Sequence, residues 1–260
     1  MNPILKGITY SILFILAGCS HKEHPLVKNQ TMPPVFINPS LTVNYRLTDT
    51  SNIHNLTDQF TAVWSDDMTF MVEPTTINTE RKQKEFKINS CKSMLFAYQE
   101  KYELTYMPSY GIYHAVYSEC KAISLIINKM AQPVYSYIKG FQLNQNTIKN
   151  LPKDMALVTS TSRYNDVHAD PTITTLEDVN HIVKVMQQNE FSATAEDDGG
   201  GIQDITILAR GDFNNDQIED LLFSVSNSVV GGSYTSYYLY VLTKTKKDGD
   251  WVVLAEYPQS

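Results

Sequence analysis

Apolar and polar positions alternate in two rhythms along this chain, and each rhythm predicts a different element. From Leu41 to Leu47 the alternation has period two, and the β-rich runs Phe60 to Trp64 and Met68 to Val72 flank a turn-like Ser65-Asp66-Asp67. Period two sets one face of a strand against a core, so these runs predict strands of a sheet. Thr79 to Phe86 is charged and predicts a loop or short helix, and Cys91 to Tyr106 suits helix and strand equally. Gly111 to Tyr117 predicts a strand. The rhythm then changes: Ile123, Ile126, Ile127 and Met130 fall at i, i+3, i+4 and i+7, with Pro133 just beyond. That is an amphipathic helix with a stop signal. Tyr135 to Phe141 suits another strand, and Leu151 to Asp170 is mostly irregular. Val179, Ile182, Val183 and Met186 repeat the helical spacing, with Thr175 placed to cap and Glu177 and Asp178 in the first turn, where acids favour the helix dipole.

The last seventy or so residues return to short apolar runs: Phe191 to Ala195, Ile202 to Ala209, Leu221 to Val225, Tyr234 to Thr243 and Trp251 to Tyr257. With turn residues between them they predict an antiparallel meander packed by the preceding helix. Glu196-Asp197-Asp198 and three glycines join the first two runs, either as an acidic contact loop or as a solvated hairpin connection. Tyr234, Tyr237, Tyr238 and Tyr240 place aromatic surface on both faces of one strand. Tyrosine belongs both in cores and at partly wet protein interfaces, so Tyr234, Tyr237, Glu196, Asp197 and Asp198 are the candidate partner contacts.

Between the second and third runs lies the densest chemistry of the chain. Asp212, Asn214 and Asp216 occupy loop positions 1, 3 and 5, the carbonyl of Ile218 position 7 and Asp220 position 9. Alternate oxygen donors in a tight loop suit a hard cation such as Ca2+; the other reading is a hairpin in which Asp and Asn side chains bond nearby backbone N–H groups. An EF-hand needs an acid at position 12, where Phe223 stands. The D-x-N-x-D-x-x-x-D-L pattern, with runs Ile205 to Ala209 before it and Leu221 to Val225 after, resembles the calcium loops of FG-GAP and VCBS-type repeats. The resemblance covers about twenty residues and one copy, which argues against a propeller. It departs from the family at Gln217, where the pattern has Gly to supply a positive φ; a non-glycine residue there costs about 1 kcal/mol, and a weak Ca2+ site is expected. The fold class predicted is α+β: mainly antiparallel sheet with two amphipathic helices and a C-terminal meander carrying this calcium-type loop.

At the N-terminus, Lys6 precedes the apolar run Ile8 to Ala17, too short for a membrane span and suited to a signal peptide. Its ending, Leu16-Ala17-Gly18-Cys19, resembles a bacterial lipobox. The resemblance implies cleavage before Cys19, a lipid on that residue and, with Ser20 following in place of aspartate, an outer-membrane anchor. Ser20 to Ser40, proline-bearing and without period, reads as a tether; His21 and His24 within it read as solvated. The organisation expected is a signal peptide over 1–18, a tether over 19–40, and α+β regions over 41–150 and 151–260 that form one domain or two.

The net charge of −7, from 21 basic and 28 acidic residues, leaves no basic patch for nucleic acid. With Cys19 lipidated, Cys91 and Cys120 remain in an oxidising compartment, where an even pair is most simply a disulfide; the rival is a catalytic thiol. No G-x-S-x-G, H-E-x-x-H, P-loop or dinucleotide fingerprint occurs. Two S-x-x-K matches, Ser118 to Lys121 and Ser136 to Lys139, lack companion motifs. Asp166, His168 and Asp170 alternate, and on an extended segment they would converge for acid–base work. The C-terminal region, with Gly231-Gly232-Ser233 and its tyrosine-rich strand, is similar to type VI secretion immunity lipoproteins. That implies a lipid-anchored, periplasm-facing inhibitor of a toxin or hydrolase. The alternatives are a periplasmic hydrolase with an unrecognised site and an envelope-assembly or adhesion lipoprotein with a structural calcium site.

Overall fold

Side-chain spacing and capping residues account for most of the elements that form. The computed structural model describes residues 35–39, 41, 53–65, 69–74, 86–105 and 110–258. All lie in the second of the two units into which the chain clusters, residues 32–260. Strand β1 (Phe36–Ile37) precedes helix α1 (Ile53–Thr61), strands β2 (Phe70–Pro74) and β3 (Phe86–Ile88), helix α2 (Cys91–Gln99), strand β4 (Tyr102–Leu104) and the long helix α3 (Tyr110–Lys129). Helix α4 (Gln145–Lys149), a 3₁₀ turn at Lys153–Met155, helix α5 (Thr161–Ala169) and the single turn α6 (Leu176–Val179) follow. The chain ends in strands β5 (Ile182–Gln187), β6 (Ser192–Asp197), β7 (Gly201–Gly211), β8 (Asp220–Val229), β9 (Thr235–Thr243) and β10 (Val252–Tyr257).

The five apolar runs form the antiparallel strands β6 to β10, and β5, expected as helix, extends the meander at one edge. Strands β5 to β10 lie side by side in order and antiparallel, and β1 joins the same sheet by pairing β7 past the end of β6. Both faces of this sheet are covered, so apolar residues point both ways. Leu222, Leu239 and Val241 pack with Leu56, Met94, Val116 and Ile123 of α1 to α3 and with the small sheet β3-β2-β4. On the opposite face Leu221, Phe223, Val225 and Leu242 pack with Ile148, Leu151 and Leu176. A bulge in β7 between Ile207 and Ala209 sends these two residues, which regular alternation would put on one face, into opposite cores. Each side chain buried in these layers contributes about 1.5–3 kcal/mol.

The disulfide is present. Cys91, the first residue of α2, and Cys120, in the middle of α3, are bonded across a separation of 29 residues, and both are fully buried. This excludes a catalytic thiol at either position.

Several expected elements differ. Phe60 to Trp64 is not a strand: Leu56 and Phe60, four apart, turn into the core on α1. Gly111 to Tyr117 belongs to α3, because Tyr113, Val116, Tyr117, Cys120, Ile123 and Ile126 carry one helical stripe that outweighs the β preference of its tyrosines and valine. Cys91 to Tyr106 divides into α2 and β4, Ser90 and Ser93 forming the capping box that starts the helix. The expected second amphipathic helix stops after one turn. Thr175 caps it as predicted, with Asp178 closing the box, but Asn180 is extended and Ile182, Val183 and Met186 lie in β5. Tyr135 to Phe141 contributes only a single bridge, Tyr135 to Ile218. Leu151 to Asp170 contains α5, a polar helix capped by Ser160 with Val167 alone buried. The tether does not reach Ser40: Phe36 stacks on Phe191 with ring centroids 4.3 Å apart, and Asn38 bonds Ile207 O and Leu208 O. Most of Leu41 to Leu47 and of Thr79 to Phe86 lies outside the described residues, as do the signal peptide, Cys19, His21 and His24.

Candidate functional site

Polar chemistry gathers on one face of strands β8 to β10 and beyond the end of the long strand β7. At its C-terminal end the β7–β8 hairpin is the calcium-type loop. Asp212, buried, accepts backbone N–H groups from Asn214 (3.2 Å), Asn215 (2.7 Å) and Gln217 (2.8 Å). Asn214 Oδ1 accepts from Asp216 N (3.0 Å), Asp216 Oδ1 from Ile218 N (2.8 Å), and Asp220 Oδ2 from Phe213 N (2.8 Å). Gln217 adopts φ 69°, the left-handed conformation that the sequence pattern assigns to this position, and Asn215 has φ 64°. Residues after α3 clamp the loop from outside: Ala131 exchanges backbone bonds with Asp212, and Val134 and Tyr135 both donate to Gln217 O.

The donor set matches the hairpin reading in its hydrogen bonds and the cation reading in its charge. Among the described residues no group of three or more His, Cys, Asp or Glu side chains is gathered for a metal. Asp220 is nonetheless fully buried, with Oδ1 lacking a hydrogen-bond partner. Burial pushes its carboxyl up to about 7; bonding from Thr243 and Phe213 opposes this, and the charges of Asp216 and Asp212 add to it. Thr243 lies directly across the ladder, although its hydroxyl also lacks a partner of full hydrogen-bond geometry. The buried Asp220 carboxylate thus sits close to the charges of Asp212 and Asp216, while backbone N–H groups of the loop bond oxygens of all three.

On one face of the sheet a cleft of about 480 Å³ opens between the segment after the 3₁₀ turn and strands β8 to β10, with Tyr240 level with Ile207 in the middle of β7. Tyr164, Tyr234, Tyr238 and Tyr240 wall it, and Asp154 and Glu256 are its acids. Alternation along β9 aims Tyr238 and Tyr240 to this face, while Tyr237, on the face of Leu239, turns the other way. The wall is fixed from several sides. Tyr240 OH donates to Asp154 O (2.9 Å), and Gln203, buried, donates to Met155 O (2.8 Å) and to Asn227 Oδ1 (2.9 Å). Asn227 and Tyr234 both donate to Ser236 Oγ. Lys153 donates to Val167 O and Asp170 O, satisfying carbonyls at the C-terminal end of α5 where a cation suits the dipole.

His168 stands beside this cleft. Its Nδ1 lies 2.8 Å from Tyr164 O, which can only accept, so Nδ1 holds a proton; Nε2 faces Asp154 Oδ1 at 3.5 Å. Asp166 and Asp170 do not join it. On the helix α5 these alternate positions diverge, and Asp166 and Asp170 line a separate surface cleft with Arg163 and Asp178. Sequence reading missed Asp154 and Glu256, because nothing in their neighbourhood forms a motif and only strand pairing brings Glu256 opposite Tyr240.

The acidic hairpin joins β6 to β7. Glu196 pairs with Lys184 (3.2 Å), Asp197 Oδ1 accepts Gly201 N (2.7 Å), and Asp198 is exposed. A Cβ on Gly201 would press on the side-chain ends of Asp197 and Leu157, so a larger residue there would have to displace them. The Glu196 and Asp197 carboxylates thus brace the hairpin. Of the two S-x-x-K serines, Ser118 is buried on α3 and Ser136 bonds Glu219. No helix among the described residues is long and apolar enough to cross a membrane. Comparison with protein-family models, with curated proteins and with solved structures finds no match to this chain.

Proposed function

We propose that this chain is a lipid-anchored, periplasm-facing binding protein of the outer membrane that neutralises a toxin or hydrolase, as an immunity protein does. The observation that carries the reading is the open cleft walled by four tyrosines and two carboxylates on a braced sheet. Tyrosine supplies a large ring and a hydroxyl at little conformational cost, which suits a protein contact. The lipobox-like Leu16 to Cys19 supports the anchor, and the Cys91–Cys120 bond supports an oxidising compartment. A strain lacking this protein should be outcompeted by its parent in contact on a solid surface, with re-expression restoring parity. Parity without re-expression would contradict immunity and favour the assembly or adhesion alternative.

Calcium is part of the proposal. Asp212, Asn214, Asp216, the Ile218 carbonyl and Asp220 would hold it, and the ion would neutralise a buried carboxylate and stiffen the hairpin. A tenfold excess over Kd would stabilise by about 1.4 kcal/mol. Adding millimolar Ca2+ should therefore raise Tm and chelation reverse it. Asp216→Asn, which keeps an acceptor for Ile218 N–H, should lose the calcium increment while matching wild type in chelator. A Tm that ignores Ca2+ removes the metal.

His168 against Asp154 favours a second reading, a periplasmic hydrolase using the same cleft. It requires turnover of an envelope polymer that His168→Ala abolishes without lowering Tm. A wild-type protein inert on such polymers would eliminate it.

A further inference from the structure

The cleft's electrostatics specify more than a generic aromatic contact. None of its lining residues is Lys or Arg. Glu256 is half-buried on β10, and its carboxylate has neither a hydrogen bond nor an ion pair among the described residues. Burial and the neighbouring charge of Asp154 push its carboxyl up, while His168 opposes this. His168 Nε2 lies 3.5 Å from Asp154 Oδ1, and the same histidine donates its Nδ1 proton to Tyr164 O. The tyrosine rings are held in place: Tyr164 stacks on His168 at 3.9 Å, Tyr238 and Tyr240 lie 6.1 Å apart, and Tyr234 is bonded to Ser236. The faces of such rings carry negative potential and attract cations. A desolvated carboxylate without a partner attracts them more strongly.

We propose that the cleft is the receptor for an arginine side chain of the protein partner, its guanidinium held by Glu256 and Asp154 and flanked by Tyr234 and Tyr238. Arginine fits better than lysine, because its planar fork meets a carboxylate through two parallel N–H bonds and lies flat on an aromatic face. The cleft volume of about 480 Å³ is ample for one such side chain with its flanking backbone. The proposal rests on the binding reading given above and adds the chemistry of the anchor residue.

The test is titration of the full chain in detergent with the blocked peptide acetyl-Gly-Arg-Gly-amide, followed by tyrosine-resonance shifts. Parallel titrations use the isosteric citrulline peptide, agmatine and a chitotriose. The arginine peptide should bind at least tenfold more tightly than the citrulline peptide and more tightly than agmatine, and moving from 0.1 to 0.5 M salt should weaken it. Glu256→Gln should reduce the affinity at least tenfold; if that variant melts early, Asp154→Asn at the cleft rim serves in its place. Equal binding of arginine and citrulline peptides would overturn the cation. Agmatine binding as tightly as the peptide would overturn a protein source, and saturation by chitotriose alone would make the cleft a glycan site. If a partner is captured with unchanged affinity by Glu256→Gln, this inference fails while the binding reading stands.

Discussion

Gln217 shows what a single residue discloses and what it hides. Its position in the D-x-N-x-D pattern predicts a positive φ, and φ is 69°. The side chain contributes nothing that needs that conformation, so Gln217→Gly should raise stability by about 0.5–1 kcal/mol, the strain relieved less the added entropy of the unfolded chain. Urea denaturation measures it, and a loss of stability would show that Gln217 is held by a contact of its own. The same loop shows where sequence reading runs out. Asp212, Asn214 and Asp216 were legible both as alternating oxygen donors and as acceptors for nearby backbone N–H groups, and the turn shows the second. Asp154 and Glu256 were illegible, since their significance is a juxtaposition across about a hundred residues of chain made by the sheet.

Elements were legible where one rhythm acted alone. The runs of β6 to β10 are apolar stretches set off by turn residues, and they form close to their predicted bounds. Helix α3 was half read, because Tyr113, Val116 and Tyr117 favour strands locally while continuing a helical stripe. At α6 the helix was overread: Ile182, Val183 and Met186 satisfy a helical spacing, yet β-branched residues beside an available edge of β6 extend it instead. The Thr175 cap is specific and testable. Backbone N–H groups of Thr174 and Thr175, with the Thr175 hydroxyl, hold the Asp178 carboxyl below its ordinary range. A depressed carboxylate contributes stability that is present above its unfolded value near 3.9 and lost as pH falls through the lower folded value. Wild type and Asp178→Asn should therefore differ in stability at neutral pH and converge below about pH 3; a constant difference would mean that charge at this cap is immaterial. Helices α2 and α3 are joined by the disulfide, and closing a loop of about 30 residues is worth roughly 3–4 kcal/mol in the chain-entropy model. Dithiothreitol should lower the wild-type midpoint and leave a Cys91→Ala, Cys120→Ala variant unmoved. A reduced wild type as stable as the oxidised form would contradict this.

Across the whole molecule, one sheet covered on both faces carries two kinds of chemistry. The calcium-type hairpin lies at one end, clamped by the chain leaving α3. On one face of β8 to β10 a tyrosine-walled cleft presents acids and rings on a scaffold fixed by Gln203, Asn227 and Tyr240. An acidic molecule with an acidic aromatic cleft calls for a basic partner. The most direct measurement is affinity capture with the full chain in detergent and Ca2+, from envelope and secreted fractions of its own strain, with wild type and a Tyr234→Ala, Glu256→Gln variant run in parallel and read by mass spectrometry. One stoichiometric protein with toxic or hydrolytic activity should be recovered, inhibited by wild type and lost from a variant whose Tm is unchanged. No stoichiometric partner, or one held equally by both, would contradict the cleft as the contact surface.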